Sequence, residues 1–387
     1  NFNVYLNQRH LAFGLLMVTL ALYLFMDWLE AGTAHEEKGI LWIKNRIFSK
    51  EGWKSRNLDQ ALLMGMFLGL CAFWNGAAVI GGLLILCGFA IFSDGKVDYA
   101  VMAGVSVFFS WLQSKIFIVG SAMSPQIYLG FLAEDKTVPG VVKYLFWMSG
   151  VFFLGLVLMV WFMRRRERAI LVSFLFPAIF AFVLLMTPDI NVNHKYIMIS
   201  YAFLTTFWAW AVCSLWKWRN GRSGIQKTMG KILAIVLVIS LSATGIYDFI
   251  VIVKGNGPGR RVTVNMNSEL TQWLEENLEK NDLLLTPEYS MNEVTMSGAM
   301  LYCGWPYYAW SAGYDTNYRA AQAVTIYTTS DSETLKKTVQ QEKITYILFE
   351  EGSEFEQQEC HEETIAAAYE KVYETQDGRI RIYKTTE

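Results

Sequence analysis

Long apolar runs separated by short polar stretches fill the first two thirds of the chain. A helix needs about 20 apolar residues to cross a bilayer core. Runs of that kind occupy 11–29, 97–119, 141–163, 169–186, 196–216 and 232–253. The run 61–92 is different. As a single helix it would be about 45 Å long, too long for a ~30 Å core. Trp74, Asn75 and Gly76 interrupt it, which predicts two short spans or a re-entrant hairpin. In both cases its two ends fall on one side of the membrane.

Beyond residue 254 the pattern changes. Gly255-Asn256-Gly257-Pro258-Gly259 reads as a flexible exit loop. Asn267 or Ser268 can cap a helix whose Leu270, Trp273, Leu274 and Leu278 share one face. Residues 283–285 read as a buried strand stopped by Pro287. A second helix is expected after Ser330, with Glu333 placed for a capping box. Then come a strand at 345–349, a helix around 362–369, and strands at 371–375 and 379–384 around Asp377-Gly378, a hairpin signal. The expected architecture is an α-helical polytopic membrane domain, 1–254, followed by a small α/β domain, 255–387. The first holds about eight transmembrane or re-entrant helices.

Charge sets the orientation. Only 18% of the 387 residues are charged and 53% are hydrophobic. From Gly255 onward there are 11 Lys+Arg against 22 Asp+Glu, so an acidic segment follows a basic, apolar one. With 32–58 placed inside, alternation puts 16 basic residues inside and 6 outside. The basic inside set includes Lys96, the Arg164–Arg168 group, Arg219, Arg222 and Lys227. The α/β domain is then exoplasmic, and the protein is a multi-pass protein of the cytoplasmic membrane. Trp42, Ile43, Ile47, Phe48 and Trp53 lie among basic residues of the first inside loop, which suits a helix on the inner surface. Neither half has the basic, aromatic-interleaved surface of a nucleic-acid binder.

The five cysteines show no CxxC spacing and no HExxH occurs, so no metal site is expected. Cys71, Cys87 and Cys213 sit in apolar runs, and Cys303 and Cys360 are free to pair only if their compartment oxidises. The first residue is Asn1 and no cleavable signal peptide is visible, so the chain is expected to belong to a longer one.

Candidate chemistry gathers on the outer side. Residues 300–319, MLYCGWPYYAWSAGYDTNYR, hold seven aromatics without helical or strand periodicity and read as an irregular loop. Trp305, Tyr307 and Trp310 suit stacking on sugar rings, with Asp315 and Arg319 as polar partners. An aromatic belt at the membrane interface or an ordinary core turn would use the same residues. The short loop 187–195 offers Asp189 and His194 as acid or base. Arg9, His194, Lys195 and Arg319 suit an anionic group such as a lipid phosphate. A turn residue for Asp189, a snorkelling helix end for Lys195 and a local ion pair for Asp315 and Arg319 are the plainer readings.

Three stretches, AFWNGAAVI (72–80), TPDINVNHKYI (187–197) and GWPYYAWSAGYDTNYR (304–319), resemble those of large bacterial membrane proteins of the GT-C glycosyltransferase type. The resemblance covers most of the chain in layout. It implies sugar transfer from a polyprenyl-phosphate-linked donor to a glycan or other acceptor at the outer membrane face. It also implies a catalytic carboxylate in a first outer loop that precedes this sequence, so no family catalytic residue is carried over. Neither the residues nor the resemblance names a cofactor. A non-catalytic membrane protein whose exoplasmic domain binds glycan or a partner is the alternative. A transporter ranks third, because no internal repeat is visible and few charges lie in mid-span.

Overall fold

The computed structural model describes residues 9–37, 39–117, 125–217, 224–255, 263–355 and 358–386. They fall into two compact units, one ending at Gly255 and one beginning at Thr263. The expected exit loop from Asn256 onward, together with Arg219 and Arg222, lies outside the described residues, as do the side chains of Arg9 and Lys227.

The first unit is a helical bundle. Its helices are α1 (Arg9–Leu24), α2 (Met26–Thr33), α3 (Gly39–Phe48), α4 (Leu58–Phe92), α5 (Lys96–Phe117), α6 (Val138–Ser149), α7 (Val151–Met159), α8 (Arg165–Val183), α9 (His194–Trp216) and α10 (Gly224–Gly255). Two short strands, β1 (Gln126–Ile127) and β2 (Leu184–Leu185), pair antiparallel. Among the described residues four helices are long and apolar enough to cross a membrane, or up to six segments if each bent pair is one span. Helix α10 exposes apolar side chains nearly all round, including Ile232, Val238 and Ile246. Such a helix is stable only with lipid or protein against it.

Helix α4 is a hairpin. Asn75 has φ −157° and ψ 95°, outside the helical region, and its side chain accepts from Ala78 N–H at 2.8 Å. It therefore caps the second arm as an N-cap asparagine does. Asp98 Oδ2 accepts from the backbone N–H of Arg56 at 2.6 Å and of Asn57 at 3.1 Å, so the start of α4 lies at the start of α5. Six residues of chain from Phe92 to Asp98 reach at most about 21 Å. A straight helix of these 35 residues would hold its ends about 52 Å apart. Both arms thus end on the same side, and each is about 25 Å long. Small residues let the arms approach their neighbours. A Cβ on Gly69 would fall 2.6 Å from Phe109 Cβ, and one on Gly82 would fall 2.6 Å from Val18 Cγ2.

At that same end a polar network ties α3 to the turn between α4 and α5. Arg46 pairs with Asp94, and His35 Nε2 lies 3.0 Å from Asp94 Oδ2. Trp42 is buried and donates to the Gly32 carbonyl at 3.0 Å, while Ile40 and Phe48 on α3 are exposed. A helix with one buried and one exposed apolar side thus occupies part of the segment 32–58.

Three expected spans are altered. The run 11–29 is divided at Phe25, where α1 and α2 meet at 43°. The run 141–163 is divided at Gly150, where α6 and the α7 segment meet at 108°. Gly150 has φ +58°, a conformation other residues resist, and the dipeptide Ser149-Gly150 is the local signal of the turn. Helix α8 stops at Val183 rather than 186, because Leu184 and Leu185 pair with β1.

The second unit is an α/β layer structure. Its strands are β3 (Leu284–Leu285), β4 (Tyr346–Glu350), β5 (Glu354–Phe355), β6 (Gln358–Glu359), β7 (Glu370–Glu374) and β8 (Ile380–Lys384). Its helices are α11 (Glu269–Asn277), α12 (Glu293–Met296), α13 (Pro306–Ser311), α14 (Asn317–Thr328), α15 (Ser332–Glu342) and α16 (Glu362–Ala368). The main sheet has order β3-β4-β8-β7, with β3 and β4 parallel and the other neighbours antiparallel. Alternation along β4 splits the core. Ile347 and Phe349 face one cluster with Tyr302, Ile326 and Leu335, and Tyr346 and Leu348 face another with Leu270 and Leu274. Ser268 caps α11 through Thr271 N–H. Asp331, not Ser330, caps α15, because its two oxygens reach Glu333 N–H and Thr334 N–H.

Candidate functional site

In the first unit, three segments converge beside the start of α9. Tyr128 N–H donates to Val183 O and Gly130 N–H to Phe182 O, extending the β1–β2 pairing. Asn193 fixes the next turn by donating from Nδ2 to Ala181 O at 3.1 Å and Leu184 O at 2.6 Å. Asp189 is 6% exposed, and its Oδ1 accepts from Asn191 N–H and Asn191 Nδ2. It caps the short 3-10 turn Ile190–Asn193 that leads into α9. Those bonds orient the loop, so Asp189 positions it.

His194 follows at the start of α9. Its Nδ1 lies 3.1 Å from the Asn191 carbonyl. A carbonyl only accepts, so Nδ1 carries the hydrogen and Nε2 of the neutral ring holds the lone pair. The ring stands edge-on to Phe131, with centroids 4.8 Å apart. Phe131 is buried at φ +50°, and its carbonyl accepts from Lys136 Nζ at 2.5 Å. Lys136 also lies over the Tyr128 ring. Lys195 follows in the first turn of α9, half-buried. Cationic side chains at a helix N-terminus, where backbone N–H groups also point outward, favour an anion. Arg9 begins α1, and its side chain lies outside the described residues.

In the second unit, residues 300–319 are ordered rather than irregular. Trp305 and Pro306 open α13, and Gly313, φ +87°, closes it. Gly313 N–H bonds Trp310 O and Tyr314 N–H bonds Ala309 O, the paired arrangement of a Schellman cap. Asp315 then accepts from Asn317 N–H at the entry to α14. Arg319 donates to Tyr302 O at 2.9 Å and lies over the Tyr302 ring. Asp315 and Arg319 are thus held separately, by backbone partners. Tyr302 is core, with its hydroxyl on Glu342. Trp305, Tyr307, Tyr308 and Trp310 remain exposed, and the Tyr307 and Trp310 rings lie 5.9 Å apart.

A cavity of about 400 Å³ opens at the carboxyl ends of the parallel pair β3 and β4. Its lining includes Glu288, Tyr289, Cys303, Gly304, Glu350 and Glu354. Such crevices are where open α/β sheets hold ligands. Tyr289 donates to Glu350 at 2.5 Å, and burial with that carboxylate raises the phenol far above its ordinary range. Burial, and then the charge of Glu288, pushes the Cys303 thiol up. All five cysteines are free, and no His/Cys/Asp/Glu cluster fit for a metal occurs among the described residues. Sequence reading missed Phe131, Lys136 and Asn193, because their roles depend on contacts across the fold. The polar stretch after residue 124 was the available signal.

No protein-family model matches the chain, and no curated protein matches it. Among solved structures it is similar to the oligosaccharyltransferase of Archaeoglobus fulgidus, determined with a tethered acceptor peptide containing the NVT sequon. Identity is 10% and the TM-score 0.40, over 90% of this chain. The chain spans 55% of that protein's length. A likeness this slight does not establish a shared fold, and the functional reading rests on the side chains described above.

Proposed function

We propose that this chain is part of a membrane glycosyltransferase that takes a sugar from a polyprenyl-phosphate-linked donor at the outer face of the cytoplasmic membrane. The observation that carries this reading is the exposed ring face of Trp305, Tyr307, Tyr308 and Trp310. Water does not favour four large rings on one short helix and its N-cap, whereas the C–H face of a saccharide ring packs well on them. The apolar bundle supplies the lipid setting in which such a donor resides.

In this reading an acceptor hydroxyl attacks the anomeric carbon and the bond from that carbon to the donor phosphate breaks. His194 Nε2 takes the hydroxyl proton as general base. The released lipid phosphate keeps the bonding electrons, and Lys195 and Lys136 offset its charge. Asp189 holds the turn that presents His194. The second unit binds saccharide through its ring face, with Arg319 and Asp315 at the border.

The test is photolabelling of the full chain in lipid nanodiscs with a diazirine-bearing polyprenyl-phosphate sugar. Label on peptides from 126–136 and 184–195, displaced by unlabelled donor, supports the reading. Label confined to α10, or not displaced, contradicts it. The alternative is a non-catalytic saccharide-binding protein. One observation favours it: the ring face and the acidic crevice both belong to the second unit alone. Saccharide binding without any transfer would select it.

A further inference from the structure

The Arg164–Arg168 group lies at the start of α8, and two of its members line a cavity of about 570 Å³ between α3 and α8. Arg165 and Arg168 are three apart on one helix face. Arg165 Nη1 donates to the carbonyls of Thr33 and His35, and its guanidinium lies 5.0 Å from the Trp42 ring centre. Arg168 is exposed and makes no ion pair among the described residues. The remaining wall is apolar, with Trp42, Ile43, Phe92 and Val172, and no lining residue carries a carboxylate.

A pocket with two guanidinium groups at one end and an apolar wall along a bundle matches one chemistry, a phosphate joined to an acyl chain. We propose that this cavity binds an anionic phospholipid, its headgroup on Arg168 and Arg165 and its acyl chain along Phe92, Ile43 and Val172. Charge complementarity argues for an anionic headgroup rather than a zwitterionic one. The apolar wall continues along α8, toward the side where its residues are exposed, and so argues for a lipid over a free anion. Helix α3 supports the same assignment. It exposes Ile40 and Phe48 while Trp42 anchors it inward, as a helix lying at a lipid surface does. The Arg46–Asp94 pair holds α3 in place, so one wall of the pocket is fixed before lipid arrives.

The experiment is native mass spectrometry of the detergent-solubilised full chain with phosphatidylglycerol, compared with phosphatidylcholine of the same acyl chains. The wild-type chain should prefer phosphatidylglycerol. Arg168→Gln should weaken that lipid about fivefold, the weight of one basic side chain at an anionic surface, and leave phosphatidylcholine unchanged. Arg164→Gln, outside the lining, should have no such effect. An equal loss in Arg164→Gln would mean diffuse charge and would overturn the site. Displacement of the lipid by millimolar inorganic phosphate would overturn it too, as would absence of any headgroup preference. Val172→Trp keeps every charge and fills the apolar wall. Reduced retention of both lipids in that variant supports the site, and unchanged retention contradicts it.

Discussion

Arg46 and Asp94, 48 positions apart in the chain, close an ion pair whose side chains are only 4% and 11% exposed. His35 and Glu37 adjoin it, so α3, the segment before it and the α4–α5 turn form one polar knot. Removing one member of a buried pair leaves the other charged and desolvated, which costs about 3–5 kcal/mol. Asp94→Asn should therefore destabilise the first unit by an amount of that order, measured by denaturant titration in mixed micelles. Arg46→Met combined with Asp94→Asn should cost less than the sum of the two single changes.

The same carboxylate sets an acid limit. Burial alone would raise its titration, but the hydrogen bond from His35 and the charge of Arg46 outweigh burial and hold it below the usual carboxylate value. A group depressed in the folded state stabilises above its unfolded value, and that contribution is lost as pH falls through the folded value. Thermal scans should show wild-type stability dropping below about pH 4, toward that of Asp94→Asn. The variant should change less over the same range. Parallel curves for the two proteins would contradict this assignment.

Asn75 makes the α4 hairpin by capping its second arm. Asn75→Ala should cost about 1 kcal/mol, and Asn75→Asp or Asn75→Ser should restore most of it, as expected for an N-cap. Unfolding midpoints of the three variants check this. Equal midpoints for Ala and Ser would show that packing, not the cap, sets the bend.

Thiols of the second unit should react slowly. Burial, and next the charge of Glu354, pushes Cys360 up to about 11. Cys303 is raised for the same kind of reason. With the other cysteines replaced, iodoacetamide alkylation of Cys360 at pH 8 should be slow and should climb until about pH 11. A plateau near pH 9 would show an ordinary thiol.

Parts of this were legible in the sequence because the signals were local. Asn75 beside Gly76 broke an apolar run, and an asparagine there is a helix cap wherever it occurs. The apolar, β-branched and aromatic run 345–349 and the Asp377-Gly378 turn likewise act over a few residues. Other parts were hidden. The six residues of α13 carry no stripe, and only Gly313 at positive φ closes it as a helix. Ser149-Gly150 interrupts a long apolar run for only two positions, so the bend between α6 and α7 barely registers in hydropathy. Arg46 counted as one more basic residue of an inside loop, although its partner lies beyond the next hairpin. Asp189 read as acid or base, yet its oxygen is committed to Asn191, and His194 acquires its tautomer from the same residue.

His194 is the proposed base of the sugar transfer. The most direct measurement follows labelled sugar from a polyprenyl-phosphate donor to acceptor in membranes containing the protein. Transfer should be present in the wild type and fall about 10²- to 10⁴-fold in His194→Ala, the usual contribution of a general base. The loss should come in kcat, with donor photolabelling retained. Wild-type rates in His194→Ala, or no transfer by the unaltered protein with any polyprenyl-linked sugar, would contradict it.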